Sequence, residues 1–376
     1  MNEQTSKGLS AFDLLSMSWS LKEKPVHSIF CHDGNFAAFL LASGKLAIVR
    51  TSDAESPSKR TSIEEATGRT TIRPRNVDPI PPTVLDTAAL ADLPIARFGS
   101  QGFAVACKDG TVRQATPRGL VIERVTSGSG PITAFNGDKT GSCVVFARGN
   151  EVFVTGTEGE ALLASVKLDH LVSCLSAFSG DGKLAAWGNG TVSILKFSES
   201  LQTLWSLECT GEVVSMSWNS KSTQLACGCA DKAVLTIDCL AKSTHRIENF
   251  PSEVRTAEFN ETGAALVASG AFRLAGWKEN DLPQTGGPGT PLSSGKAGFV
   301  LLESIASHPT KGMVAAGFEN GVIALTSIGE PEELLLKNAS NTAIATMSWS
   351  PDGENLAVGN AAGECSIVNF PEQMFK

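Results

Sequence analysis

A short pattern returns along this chain at a spacing of about forty residues, and no other feature constrains the fold as tightly. It reads Val213-Val214-Ser215-Met216-Ser217-Trp218 and again Ile344-Ala345-Thr346-Met347-Ser348-Trp349. In both copies a Leu-Ala pair and a glycine follow, at Leu225-Ala226-Cys227-Gly228 and Leu356-Ala357-Val358-Gly359. The closing aromatic places the looser copies. Phe98, Phe135, Phe178, Trp218, Phe259 and Trp349 hold this position and His308 holds it once, at steps of 37, 43, 40, 41, 49 and 41 residues. An earlier copy carries Phe30 there. Eight units therefore begin near Val26, Pro94, Pro131, Val172, Val213, Val254, Val300 and Ile344. A unit of this length cannot bury an apolar face alone and must stack on its neighbours.

Inside each unit the signals are those of strands. In Val172-Ser173-Cys174-Leu175-Ser176-Ala177-Phe178 small or polar residues alternate with apolar ones, the period of a half-buried strand. Turn clusters follow at Ser179-Gly180-Asp181-Gly182, Ser350-Pro351-Asp352-Gly353 and Asp33-Gly34. Next comes a buried strand such as Lys183-Leu184-Ala185-Ala186-Trp187, then an Asn-Gly or Asp-Gly turn at Asn189-Gly190, Asp109-Gly110 or Asn320-Gly321. Such dipeptides between apolar runs are strong hairpin signals. A third strand (Thr191-Val192-Ser193-Ile194-Leu195) and a more variable fourth (Thr244-His245-Arg246-Ile247) complete the unit. Four strands per unit predict an all-β propeller of four-stranded antiparallel blades, with eight blades favoured and seven as the alternative. Helical repeats need apolar residues at a 3.6-residue period over ten or more positions, and the Gly-rich turns leave no room for them.

The units resemble degenerate WD repeats of the bacterial type, from Val26 to Phe370. The residues that carry the resemblance are the Ser-Pro-Asp-Gly turn at 350–353, the Leu-Ala-x-Gly strands at 225–228 and 356–359, and the turns before the third strands. No copy ends its third strand in Trp-Asp; the nearest are Ile237-Asp238 and Gly276-Trp277-Lys278, and the opening Gly-His pair is missing. The family's Asp-His-Ser/Thr-Trp network is therefore expected to be absent, with blades joined mainly by apolar packing. The resemblance implies an interaction platform and names no partner.

The last unit has three strands before the chain runs out, so a fourth is expected from the N-terminal segment Phe12–Leu21. Such a strand removes an open sheet edge. Met17-Ser18-Trp19 pulls the other way, because it repeats the end of an inner strand. One propeller is read over residues 1–376, with a long insert at 51–92 and a short flexible one at 284–296. The first carries Arg73-Pro74-Arg75 and Pro79-Ile80-Pro81-Pro82 and reads as a flexible surface insert, the alternative being an extended proline segment that docks on the ring or on a partner.

A net charge of −8 and the lack of a Lys/Arg run argue against nucleic acid as a partner. The longest apolar run, Phe36 to Ala42, is too short to span a bilayer, and no leader is read in Met1–Gly8, so a cytoplasmic protein without membrane contact is expected. Nine scattered cysteines fit reduced thiols. Cys227 and Cys229 share a strand face, with Cys239 near the next strand, and read as packing residues; His27, Cys31, His32 and Asp33 straddle a strand and its turn and point apart. His308 reads as a structural histidine. The Gly-Lys pair at 295–296 does not satisfy a phosphate-loop pattern, since Ala297 follows it. No catalytic signature occurs. The expectation is a monomeric, non-catalytic platform for a protein or peptide, with no catalytic, cofactor or metal residues assigned and the binding residues unknown. The alternative is a small-molecule or metal-binding propeller, enzymatic at the channel mouth.

Overall fold

The computed structural model describes residues 9–63, 70–126, 128, 130–157, 162–284, 287–371 and 374. The N-terminal octapeptide read for a leader, the middle of the first insert and Thr285-Gly286 of the second lie outside this set. The described strands form eight antiparallel blades, seven four-stranded and one three-stranded. Their inner strands are Pro25–Phe30, Ala96–Phe98, Ala134–Gly137, Cys174–Leu175, Val213–Trp218, Ala257–Asn260, Leu302–Ser307 and Ile344–Trp349. Each inner strand packs beside the next, and the last lies against the first, so the blades follow sequence order around a closed ring. We number the blades one to eight in that order.

Local chemistry sets the turns. Asn189 and Gly190 both have positive φ, 50° and 72°, as a two-residue turn between right-twisted strands requires. At Ser350–Gly353 the Asp352 carboxylate accepts from the Glu354 N–H at 2.9 Å and the Ser350 hydroxyl from the Asn355 N–H at 2.9 Å. Gly353 is required there twice over, by its φ of 76° and because a Cβ would stand 2.3 Å from the His308 ring. The inner strands of blades one, five, seven and eight each carry a bulge after their first residue. A bulge adds local twist, here at the strand end nearest the preceding blade's connection.

Apolar cores sit between blades, one at each of the eight joints. Second strands supply small buried pairs, Ala185-Ala186, Ala226-Cys227, Ala315-Ala316 and Ala357-Val358, which let neighbouring sheets approach. The recurring aromatics fill what remains; Phe30, Phe98 and Phe135 are fully buried. Polar ties cross the joints as well, which apolar packing alone did not anticipate. Trp218 Nε1 donates to Ser176 Oγ of blade four at 3.0 Å, and Trp349 Nε1 to the Ala306 carbonyl of blade seven at 2.9 Å. Tryptophan can be buried fully only if its N–H finds an acceptor, and the neighbouring blade provides it.

The N-terminal strand completes blade eight. Ser16–Ser20 pairs antiparallel with Glu364–Asn369, from Ser16 opposite Val368 to Ser20 opposite Glu364. Met17-Ser18-Trp19 is thus an outermost strand, despite its likeness to an innermost one: period-two alternation describes any strand with one covered face. The strand is shorter than expected, because Ala11–Leu15 is a helical turn. A reciprocal cap explains this, with the Asp13 N–H donating to Ser10 Oγ at 3.3 Å and the Ser10 N–H to Asp13 Oδ2 at 2.8 Å. The turn places Phe12 and Leu15 in the core between blades seven and eight, and Met17 enters the core between eight and one.

The first insert is folded onto this closure. Its end, Thr83–Asp86, is the outer strand of blade one. Before it come the short helix Pro57–Arg60 and a hairpin of Thr61–Ile63 with Thr70–Ile72. The buried Arg60 guanidinium donates to the carbonyls of Glu55, Arg73 and Leu14 at 2.8, 2.6 and 2.6 Å. Asp53 and Arg75 form a fork-like ion pair, and the proline segment accepts from Trp19 Nε1 at the Ile80 carbonyl, 2.9 Å.

Candidate functional site

The histidines and thiols singled out in the sequence do not converge. His27 is packed in the inner strand of blade one, and burial pushes its imidazole down to about 4, against the pull of Asp92. Cys31 donates its S–H to Asp33 Oδ1 at 3.0 Å, and burial together with that carboxylate holds the thiol up at about 12. Burial raises Asp33, but hydrogen bonds from Cys31, Asn35 and Gln101 carry it down to about 2. Cys227 and Cys229 are packed in the core between blades four and five, with Cys239 at its margin. Burial raises Cys227 well above its ordinary value and the other two to about 11, so all three are thiols. Among the described residues no group of three His, Cys, Asp or Glu side chains is placed to hold a metal ion.

His308 is buried against Trp349, with ring centroids 4.7 Å apart and Nε2 3.1 Å from the Gly353 carbonyl, a place set by packing between blades seven and eight. At Gly295-Lys296 the two backbone N–H groups that a phosphate loop would offer are taken, by the Glu330 carbonyl at 2.9 Å and Glu333 Oε2 at 3.2 Å.

Three polar side chains of the inner strands are spent on neighbouring blades. Arg97 Nε donates to the Phe30 carbonyl at 2.9 Å, Asn136 Nδ2 to the Leu175 carbonyl at 2.9 Å, and Glu258 Oε1 accepts from the Ser307 N–H at 2.7 Å. Burial raises the Glu258 carboxyl and lowers the Arg97 guanidinium. These groups join blades two to one, three to four and six to seven. They are not a reactive set gathered at one mouth.

The outer surface differs between the two faces. In an up-and-down blade the second-to-third turns and the connections between blades share one face, and the first-to-second and third-to-fourth turns share the other. On the first face Phe299 is 97% exposed, more than any other large apolar side chain among the described residues. It stands on the connection from blade six to seven, whose backbone at Gly298 runs beside Phe272 of the second-to-third turn of blade six; Phe272 is 41% exposed. Arg255, at the start of the next strand inward, bridges Glu253 at 2.7 Å and Glu303 at 3.1 Å. Sequence pattern could not mark Phe299, because exposure depends on which turns flank it.

The opposite face carries two open depressions beside blade six, of about 180 and 530 Å³. Gln224, at the start of the second strand of blade five, lines both. The larger also touches Lys221, Lys278 and Glu279, the smaller Asp238, His245 and Leu282. Neither has the enclosed apolar lining of a cofactor or substrate pocket. Among the described residues no helix is long and apolar enough to cross a membrane.

No protein-family model matches the sequence, and no curated protein matches it. Solved structures do. The computationally designed Ika8 protein superposes with a TM-score of 0.63 at 16% identity, covering 95% of this chain and 99% of that one. The C-terminal WD40 domain of Sif2 gives 0.61 at 12% identity, over 94% and 99%. A chain from the mitotic checkpoint complex gives 0.57 at 16% identity, over 76% and 90%. With eight blades, sequential order and closure by an N-terminal strand, the chain has the fold of a WD40-type β-propeller.

Proposed function

We propose that this propeller is a non-catalytic platform that docks a protein partner through the face bearing Phe299 and Phe272. The observation that carries the reading is Phe299 itself. A phenyl ring left almost wholly in water costs solvation free energy that burial in a partner recovers, on the order of 2 kcal/mol. Phe272 widens the apolar patch, and the Arg255–Glu253–Glu303 set supplies a polar border, the arrangement of an interface anchor and its rim. The occupant is a protein segment offering an apolar pocket or a ring to stack on. The open, partly polar form of the two depressions on the other face favours this over a small-molecule ligand there.

In this reading residues 1–376 act as one monomeric module. The free, mostly buried cysteines suit a reducing compartment such as the cytoplasm, and the acidic balance disfavours nucleic acid. The test is affinity purification from the native host with the wild type and with the Phe272→Ala/Phe299→Ala variant, compared by quantitative mass spectrometry. Partners that the wild type retains and the variant loses, at unchanged melting temperature, are expected. The same set from both proteins, or none under any condition, would sink the proposal.

A further inference from the structure

We propose that Ser206, on the outer strand of blade four, is a covalent modification site: a nucleophile that accepts an apolar acyl group from an uncharged activated ester. Its hydroxyl ends a chain of hydrogen bonds that crosses the joint from blade three. His170, on the connection from blade three to blade four, has Nδ1 2.9 Å from the Leu171 carbonyl and Nε2 2.8 Å from Ser193 Oγ. Ser193, in the third strand of blade four (Thr191–Phe197), lies with its Oγ 2.8 Å from the Oγ of Ser206, its cross-strand partner in Leu201–Glu208. A carbonyl only accepts, so in the neutral imidazole Nδ1 carries the proton and Nε2 offers its lone pair. Ser193 then donates to Nε2, and Ser206 donates to Ser193. The hydroxyl protons run one way, toward a base.

A tie between the blades needs only the bond from Ser193, which is buried. Ser206 is exposed, so the chain delivers its last oxygen to solvent. Strand phase places a second group beside it. The Cys209 N–H donates to the Gly190 carbonyl at 2.8 Å, and bonded pairs alternate from there, so Ser193 and Ser206 form a pair without backbone bonds between them. The Ser206 N–H therefore turns to the open outer edge of the blade, next to its own hydroxyl. When Ser206 Oγ attacks the acyl carbon, its proton passes to Ser193 as the proton of Ser193 passes to His170 Nε2. The charge that gathers on the carbonyl oxygen meets the Ser206 N–H. The bond to the leaving alcohol then breaks, the alcohol takes up through solvent the proton held by the half-buried imidazole, and an ester remains on Oγ. Leu171, next to His170, and Leu204, two residues before Ser206, are 56% and 46% exposed and favour an apolar acyl chain. Asp169 and Glu208 are exposed on the same segments and disfavour an anionic donor.

The full chain is tested with p-nitrophenyl butyrate, following acylation of the tryptic peptide 197–221 by tandem mass spectrometry. Butyryl on Ser206, formed faster than on the other exposed serines, is expected. The rate should fall about tenfold or more in His170→Gln and in Ser193→Ala, and no adduct should form there in Ser206→Ala. Ser206→Ala changes an exposed side chain, so its melting temperature should match the wild type. Phe272→Ala/Phe299→Ala should acylate as the wild type does, which separates this site from the docking face. A merely structural chain would leave Ser206 no more reactive than any surface serine. Labelling of Ser206 no faster than its neighbours, or at the wild-type rate in a folded His170→Gln variant, would overturn the assignment.

Discussion

Blades six and eight meet the same problem in opposite ways. Each has only three strands of its own from its stretch of chain. Blade eight takes its fourth from the other end of the molecule, a strand paired along five residues and fastened by three buried side chains. Blade six has, among the described residues, a short pairing with Thr290–Leu292 and one bond from Arg273 Nη1 to Ser293 Oγ at 3.3 Å. Blade eight is where the ring is locked, and an open edge there would leave two cores unsealed. Blade six lies within the ring, its inner strands held on both sides, so its outer edge is free to vary. Stability is concentrated at the first place, and the second leaves an edge that carries little of it.

The largest effect should come from removing the borrowed strand. Deleting residues 1–21 strips Phe12, Leu15 and Met17 from the cores on either side of blade eight, a loss on the order of 5 kcal/mol from apolar burial alone. Urea unfolding should show it, and size-exclusion chromatography should show association through the bared edge; a monomer with an unchanged transition would break the comparison.

Acid should act next, on the same side of the ring. His27 lies in the strand beside blade eight, and burial holds its folded value near 4 whereas a free imidazole titrates near 6.5. As pH falls the unfolded chain takes up the proton first. This contribution is therefore intact above pH ~6.5 and is lost progressively down to ~4, by up to roughly 3 kcal/mol. His27→Gln should flatten that part of the stability profile; a variant with the wild-type slope would refute the assignment.

Gly353→Ala sharpens the contrast within blade eight. The methyl meets the His308 ring at a backbone angle that disfavours any side chain, for a cost of roughly 2 kcal/mol by thermal unfolding. The smallest effect belongs to blade six, where Pro291→Ala on the sparse outer edge should shift stability by less than about 0.5 kcal/mol. A larger loss would mean that this edge is structural after all.

What the sequence made legible follows the same division. The inner strands and their turns were readable because each unit repeats the same local problem: an aromatic between blades, small residues in the second strand, positive φ at Asn189-Gly190. The borrowed strand was readable from the shortfall at the other end. The helical turn at Ala11–Leu15 was not, because its signal is a single Ser10–Asp13 cap over five residues and the alternating pattern beyond it dominated. Nor was the bond from Arg60 to the Leu14 carbonyl, which joins segments with no common period. The outer edge of blade six and the exposed Phe299 escaped for one reason. Outer strands and connections face solvent, so packing imposes no rhythm on their residues.

The pairing of Ser18 with Ser366 spans 348 positions. A ribosome delivers the first of these residues long before the second, and the closing strand must wait for a partner that does not yet exist. Through that interval Phe12, Leu15 and Met17 have no finished core to enter. Contacts this distant in sequence form late and slow the final step of folding. The same seam sets an expectation for the exit route: amide hydrogen exchange along Ser16–Ser20 should open before that of the inner strands.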